Sequence, residues 1–358
     1  MDLLKNFSSF SLKKRVSTKS LVVFTRQLST LIAAGLPLVK ALRTLYDQLE
    51  SGALKDIIKS LAGEVESGTK FSEALSRFPK VFPGFYINMI KAGELGGMLE
   101  GILKRLSEFL DKSQKLKDKI KSALMYPAFV MLVAVSILIM LMIFVIPTFT
   151  NMFSELGGAL PLPTKILIAT SDIIRNFWYL IPLIPVLIIA LYKLFVRDIN
   201  RRIFLDKLKL HIPVVGNLIQ QLSVARFSRT LGTLLSSGVP ILNALDTVRD
   251  IVGNEFIGRA VVHVRDSIKE GEGVAKPMEA SKAFPMLVVK MVNIGEETGQ
   301  LDKMLIQIAD NFEEEVDVAV SGLTSLLEPI LIVFMGLVVG FIVISMFMPL
   351  FSLARLIE

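Results

Sequence analysis

The 358-residue chain is 52% hydrophobic, with a mean hydropathy of +0.59 and a formal net charge of +7. A chain this apolar is not an ordinary soluble enzyme, and the lack of any cysteine excludes disulfides and thiolate metal sites. Its length has room for two or three domains. Residues 1–19 form a short basic lead-in without the apolar run of a cleavable signal peptide. A helical bundle is expected over 20–125, since Leu21, Phe24, Leu28, Leu31 and Ile32 fall on one helical face. Gly35 stops that helix in the left-handed conformation, and Pro37 starts the next, where its missing N–H is no loss. Further helices are expected near 53–66 and 71–77, closed by Gly68 and Pro79, and another opens at Phe82-Pro83. A GELGGM turn containing Gly93, Glu94 and Gly97 leads into a long helix whose face carries Leu99, Ile102, Leu106, Leu110 and Ile120.

That helix runs through Lys112, Lys115, Lys117, Lys119 and Lys121 into an uncharged stretch, 122–154. Stretches 176–192 and 329–354 are likewise free of Asp, Glu, Lys and Arg. A helix needs about 20 apolar residues to cross the hydrocarbon core, so transmembrane helices are expected at 126–149, 177–196 and 326–351. Pro182 and Pro185 weaken the second locally, which membrane helices tolerate. Residues 150–176 between the first two spans read as an external loop with only Lys165 and Arg175 as cations. The second span is followed by Arg197, Arg201, Arg202, Lys207 and Lys209. Basic flanks stay in the cytoplasm, so the N-terminus is expected inside and the tail 352–358 outside.

A second bundle, 197–325, repeats the first. FTRQLSTLIAAGLPLVKALRTLYD (24–47) returns as FSRTLGTLLSSGVPILNALDTVRD (227–250) at a constant offset of 203. Arg26 matches Arg229, Gly35 matches Gly238 and Pro37 matches Pro240. After a one-residue slip, Gly93, Glu94 and Gly97 match Gly295, Glu296 and Gly299, and Tyr126-Pro127 matches Glu328-Pro329. A period near 200 residues marks a duplicated domain, not a repeat array. If each copy is a cytoplasmic bundle followed by an outward span, one unmatched inward span must return the chain, and 177–196 is that span. The fold class is therefore an all-α membrane protein with two homologous cytoplasmic six-helix bundles and three transmembrane helices.

The copies differ in charge. Residues 1–125 hold 21 Lys and Arg against 12 Asp and Glu, or +9, whereas residues 197–325 hold 15 against 17, or −2. The approach to the third span is acidic, with Glu313, Glu314, Glu315 and Asp317 where the first copy has Lys115 and Lys117. Either the two approach helices pack together by charge, or both are solvated faces. Basic flanks of membrane spans account for the pI of about 9.4 better than nucleic-acid binding does.

No catalytic, cofactor-binding or metal-binding residues are expected. His211 and His263 have no metal or acid–base spacing. GEVESGTK (63–70) has Thr69 where a phosphate-binding loop needs lysine, and it follows a helix, not a strand. Arg26 and Arg229 read as edge salt bridges or partner contacts. Glu94 and Glu296 read either as caps for the N-terminus of the long helix or as interface residues. Glu328 is a carboxylate at a span, either functional or interfacial.

The duplicated bundle–span unit resembles the GspF/PilC family. The likeness rests on R-x-L-x-T-L followed by G-x-P at the hairpin, on G-E-x-x-G-x-L, and on Lys121 followed by Tyr126-Pro127 and Val145-Ile146-Pro147. It covers about 20–351, although many members carry a longer N-terminal segment. The resemblance implies an inner-membrane platform protein of type II secretion or type IV pilus machines, without enzymatic activity or cofactors. Implied partners are a cytoplasmic assembly ATPase, pilin or pseudopilin, other inner-membrane assembly proteins, the lipid bilayer and further copies of the chain. Two other classes compete. A receptor or signalling protein with two cytoplasmic helical modules would carry a sizeable external domain, and 151–176 is short. A transporter would carry ionisable residues deep in its spans.

Overall fold

The computed structural model describes residues 16–155, 160–177, 179–196, 198–213 and 215–357. Most of the basic lead-in therefore lies outside the described residues. Every regular element among those described is helical. The chain divides into two units: one holds residues 1–118 and 206–316, the other 119–205 and 317–358.

The first unit contains both repeats. Copy 1 comprises α1 (Thr18–Ala33), α2 (Leu38–Gln48), α3 (Ala53–Glu66), α4 (Phe71–Ser76), α5 (Gly84–Gly96) and the start of α6 (Leu99–Met140). Helices α7 (Ile146–Glu155), α8 (Leu162–Asn176), α9 (Leu180–Phe195) and α10 (Ile199–Lys209) separate it from copy 2. Copy 2 comprises α11 (Val215–Ser236), α12 (Ile241–Ile251), α13 (Glu255–Lys269), α14 (Ala275–Ser281), α15 (Met286–Glu297) and the start of α16 (Leu301–Ile357). The expected six helices per copy are present, and the two cores form one contiguous apolar cluster. Leu28, Leu42, Leu45, Leu231 and Leu245 are fully buried in it, each worth about 1.5–3 kcal/mol. Phe24, Phe82 and Tyr86 pack as tilted ring pairs in copy 1. The Tyr86 hydroxyl meets Thr25 Oγ1 at 3.1 Å, and burial pushes the phenol pKa up.

Both hairpins close as the glycine–proline pattern requires. Gly35 and Gly238 have φ of +81° and +78°. Leu36 N–H donates to Leu31 O at 3.1 Å and Val239 N–H to Leu234 O at 3.0 Å, the Schellman arrangement that satisfies orphan helix carbonyls. Pro37 and Pro240 stand one position earlier than expected. They are extended N-cap residues, with ψ of 143° and 138°, just before the first helical residue.

The second unit is built from the outer lengths of α6 and α16, with α7, α8 and α9. Two helices, Leu99–Met152 and Leu301–Pro349, are long and apolar enough to cross a membrane. Phe129, Leu132, Ile332 and Leu337 stand exposed on them, an arrangement suited to lipid. Helix α9 has 16 residues, or about 24 Å at the helical rise, shorter than the expected span 177–196. Pro182 occupies its third position, where no intrahelical donor is lost.

Residues 150–176, expected as a loop, are mostly helical, ending α7 and forming α8. The segment's place between two spans suggests a loop, but Leu167, Ile168, Ser171 and Ile174 recur at helical spacing. They face a small core of Met142, Ile146 and Ile342. The first of these two apolar helices also contains a π-helical turn, Leu141–Val145, in which Ile146 N–H donates to Leu141 O.

Candidate functional site

The first unit has a polar seam where α6 of copy 1 runs beside α16 of copy 2. Arg26 on α1 makes a two-pronged bond to Asp111 on α6, through Nε at 3.1 Å and through Nη2. Its counterpart Arg229 on α11 donates to Glu313 at 2.8 Å, the residue equivalent to Asp111, and to Asp310 at 2.5 Å. Asp310 in turn receives Lys112 Nζ from copy 1 at 2.8 Å. Lys112, Asp310, Arg229 and Glu313 thus form one chain of charges joining the repeats. Burial disfavours the charged carboxylate of Asp310. The bonds and charges of Lys112 and Arg229 outweigh that effect and hold its pKa below the usual range. A cleft of about 410 Å³ opens at the seam between Arg105, Glu108, Phe109, Lys303 and Ile306.

In the second unit Lys119 of α6 pairs with Asp317 of α16. Basic and acidic approach helices therefore do pair across the duplication. The pairs are Lys112–Asp310 and Lys119–Asp317, so of the acidic residues that charge singled out Asp317 takes part. Reading the sequence missed Asp111 and Asp310. The equivalence of Asp111 and Glu313 at the repeat offset was the available signal.

Glu94 and Glu296 are caps, but not of the long helix. Glu94 Oε1 accepts Phe71 N–H at 2.5 Å, and its Oε2 accepts Ser72 N–H at 3.1 Å and the Ser72 hydroxyl. Glu296 accepts Val274 N–H at 2.9 Å and Ala275 N–H at 3.1 Å. Each carboxylate closes the N-terminus of a short helix, α4 or α14. The expectation failed because Gly93, Glu94, Gly295 and Glu296 lie inside α5 and α15. Only Gly97 and Gly299 make the turn, both with φ of +67°. Gly93 and Gly295 permit close helix approach: a Cβ on Gly93 would lie 2.9 Å from Ile102 Cγ1, and one on Gly295 3.0 Å from Leu301 Cα.

In the second unit Tyr126 and Glu328 are exposed, and α6 and α16 continue unbroken through Pro127 and Pro329. The two outer prolines are compensated by α8. Pro349 has no N–H for Ser345 O, and buried Thr164 donates to that carbonyl at 2.6 Å. In the π register Met142 O would accept from residue 147, also proline, and the buried Ser171 hydroxyl donates to it instead. Thr164 and Ser171 are seven residues apart, on one face of α8.

Of the two histidines, His211 is exposed, with Nδ1 at 2.9 Å from Lys207 O. His263 is exposed on α13. Among the described residues no cluster of three metal-ligating side chains occurs.

A family model described as "Type II secretion system (T2SS), protein F" matches residues 24–147 and 227–349. The chain is 42% identical over 343 residues to the type IV pilus assembly protein PilC of Myxococcus xanthus, covering 96% of this chain and 82% of that relative. Identity to the PilC of Thermus thermophilus is 42% over 348 residues, with coverage of 96% and 84%. For the type II secretion system protein F of Xanthomonas campestris pv. campestris it is 37% over 345 residues, with coverage of 96% and 85%.

Proposed function

Because the chain belongs to the type II secretion system protein F family, we propose that it is the inner-membrane platform of a type IV pilus or type II secretion machine. The observation that carries this reading is the duplication itself. Both heads end in a helix that continues into an apolar length able to span a bilayer. A head element and its membrane anchor are then one helix, the simplest part for passing a displacement from a cytoplasmic motor to the bilayer. The heads receive an assembly ATPase. The spans face pilin or pseudopilin and neighbouring inner-membrane assembly proteins, and the platform self-associates. No chemistry is assigned to it.

The topology we favour has three spans, with α9 as the unmatched return, both heads in the cytoplasm and the C-terminus outside. Basic residues after α9 and the cluster 112–121 support it. Because α9 is short, its return depends on flanking residues extending it or on local thinning of the bilayer.

Co-purification from detergent with and without a cognate assembly ATPase tests the partner assignment. Retention of the ATPase by full-length chain is expected, and its loss under all nucleotide states would remove the motor-coupling claim. Alkaline phosphatase fused after residue 160 or residue 357 should be active, and after residue 250 inactive. Activity at the last position would overturn the topology.

A further inference from the structure

The two repeats do not meet through equivalent faces. Copy 1 presents α5 and α6, and copy 2 presents α11, α12 and α16. Asn88 Nδ2 on α5 donates to Thr247 Oγ1 on α12 at 3.2 Å, and Lys112 on α6 pairs with Asp310 on α16. Phe109 on α6 lines the same cleft as Arg229 and Thr233. By the repeat offsets, Asn88 corresponds to Lys290, and Thr247 corresponds to Thr44. A self-complementary contact would use both pairs of faces. A head-to-tail contact uses one pair and leaves the other pair open.

Exposure shows the second pattern on both sides. On copy 2, Met286, Leu287 and Ile294 of α15 are each more than half exposed, at 54%, 56% and 52%. The counterpart of Leu287 in copy 1 is Phe85, only 6% exposed; it packs on Phe109 of its own copy, one turn from Asn88, which meets Thr247 of copy 2. On copy 1, the Arg26 side chain is 56% exposed, against 6% for its counterpart Arg229. Thr30 and Ala34 are exposed where Thr233 and Ser237 are buried. Each chain therefore carries two unused halves of that interface, one on α15 and one on the α1/α2 face.

We propose that these open halves join: α15 of one chain docks on the α1/α2 face of a second copy, repeating between chains the contact that α5 and α12 make within one. This deepens the self-association stated under the platform reading by naming its surface. Burial of Met286, Leu287 and Ile294 drives the contact, and the +9 and −2 charges of the two repeats favour it at long range. One local feature works against it. Glu314 stands where copy 1 has Lys112, and Glu108 stands where copy 2 has Asp310, so the repeated contact sets two carboxylates together in place of an ion pair. The intermolecular joint is consequently weaker than the intramolecular one and reversible.

The cysteine-free chain makes this testable without background. Full-length Thr44→Cys and Lys290→Cys proteins are purified separately in detergent, mixed, and treated with a short bismaleimide while mass is followed by light scattering. A cross-linked dimer is expected from the mixture and not from either protein alone. Adding Leu287→Arg to the Lys290→Cys protein should cut the product by about tenfold, as for roughly 1.4 kcal/mol of lost contact. Adding Glu314→Lys instead, which places a cation opposite Glu108, should increase it. An oligomer that persists by light scattering with no product joining residues 44 and 290 would overturn this surface and leave self-association intact. A single-chain mass at every concentration would overturn both.

Discussion

Replacing Thr164 by valine removes a hydroxyl while keeping the side chain's shape, and it strikes one identifiable carbonyl. Ser345 O cannot receive its normal helical donor, because Pro349 has no N–H, and Thr164 Oγ1 donates to it at 2.6 Å. Thr164 is 3% exposed, so water does not readily take over. A buried acceptor left unmatched costs about 1–3 kcal/mol in soluble proteins, whereas hydrogen bonds between membrane helices average about 0.6 and reach about 1.7 kcal/mol. The contact lies among membrane-suited helices, so the lower range governs, and Thr164→Val should lower the unfolding free energy by about 1 kcal/mol. The sharper quantity is the coupling. Pro349→Ala restores an N–H to Ser345 O, and in that background Thr164→Val should cost less than half as much. SDS-induced unfolding of the four proteins in dodecyl maltoside, followed by circular dichroism, measures the cycle. Equal costs of Thr164→Val in both backgrounds would refute the idea that α8 compensates for the proline.

Glu94→Ala and Glu296→Ala should each destabilise the heads by about 0.5–2 kcal/mol, as loss of an N-cap does. Urea titration reads this out, and a neutral effect at both sites would remove the capping role. Gly93→Ala should cost about 1–3 kcal/mol through overpacking against Ile102. In an Ile102→Ala background, which removes the Cγ1 in the way, Gly93→Ala should cost less in the same titration, and an unchanged cost would show that the close approach is not the cause. The pKa of Asp310 is depressed by Lys112 and Arg229. Its stabilisation is therefore fully present above the unfolded carboxylate value and lost as pH falls through the lower folded value. Acidification should weaken the seam between α6 and α16, and Asp310→Asn should flatten that part of the stability–pH profile. Superimposable acid limbs would argue against this assignment.

The helix hairpins were readable in advance because a left-handed glycine followed shortly by proline has few backbone solutions, and Gly35 and Gly238 adopt the expected one. The helix Ala53–Glu66 was readable from its closing glycine alone, since Gly68 takes the left-handed conformation at φ +92°. Charge blocks left two readings of the approach helices open, pairing or solvated faces, and the structure decides for pairing through Lys112–Asp310 and Lys119–Asp317. They did not foretell that Lys112 would find Asp310 in place of the residues singled out by charge, because pairing depends on the stagger of α6 and α16. For Glu94 the sequence leaves open a cap on the helix next in the chain or an interface contact, and neither is its role. The carboxylate instead reaches back across the bundle to α4, 23 residues earlier at Phe71.

Duplication, apolar spans, hairpin punctuation and charge asymmetry are properties of composition and spacing, and the sequence by itself determined them. Long-range packing decided the rest. It turned 150–176 from a loop into a helix whose Thr164 and Ser171 meet the carbonyls left by Pro349 and Pro147, and it chose which face of each repeat is covered. Two near-identical modules can associate through like faces or through unlike ones with the same local sequence. Only the three-dimensional fit of Asn88, Phe109 and Lys112 against copy 2, with Leu287 left in the open, separates those outcomes.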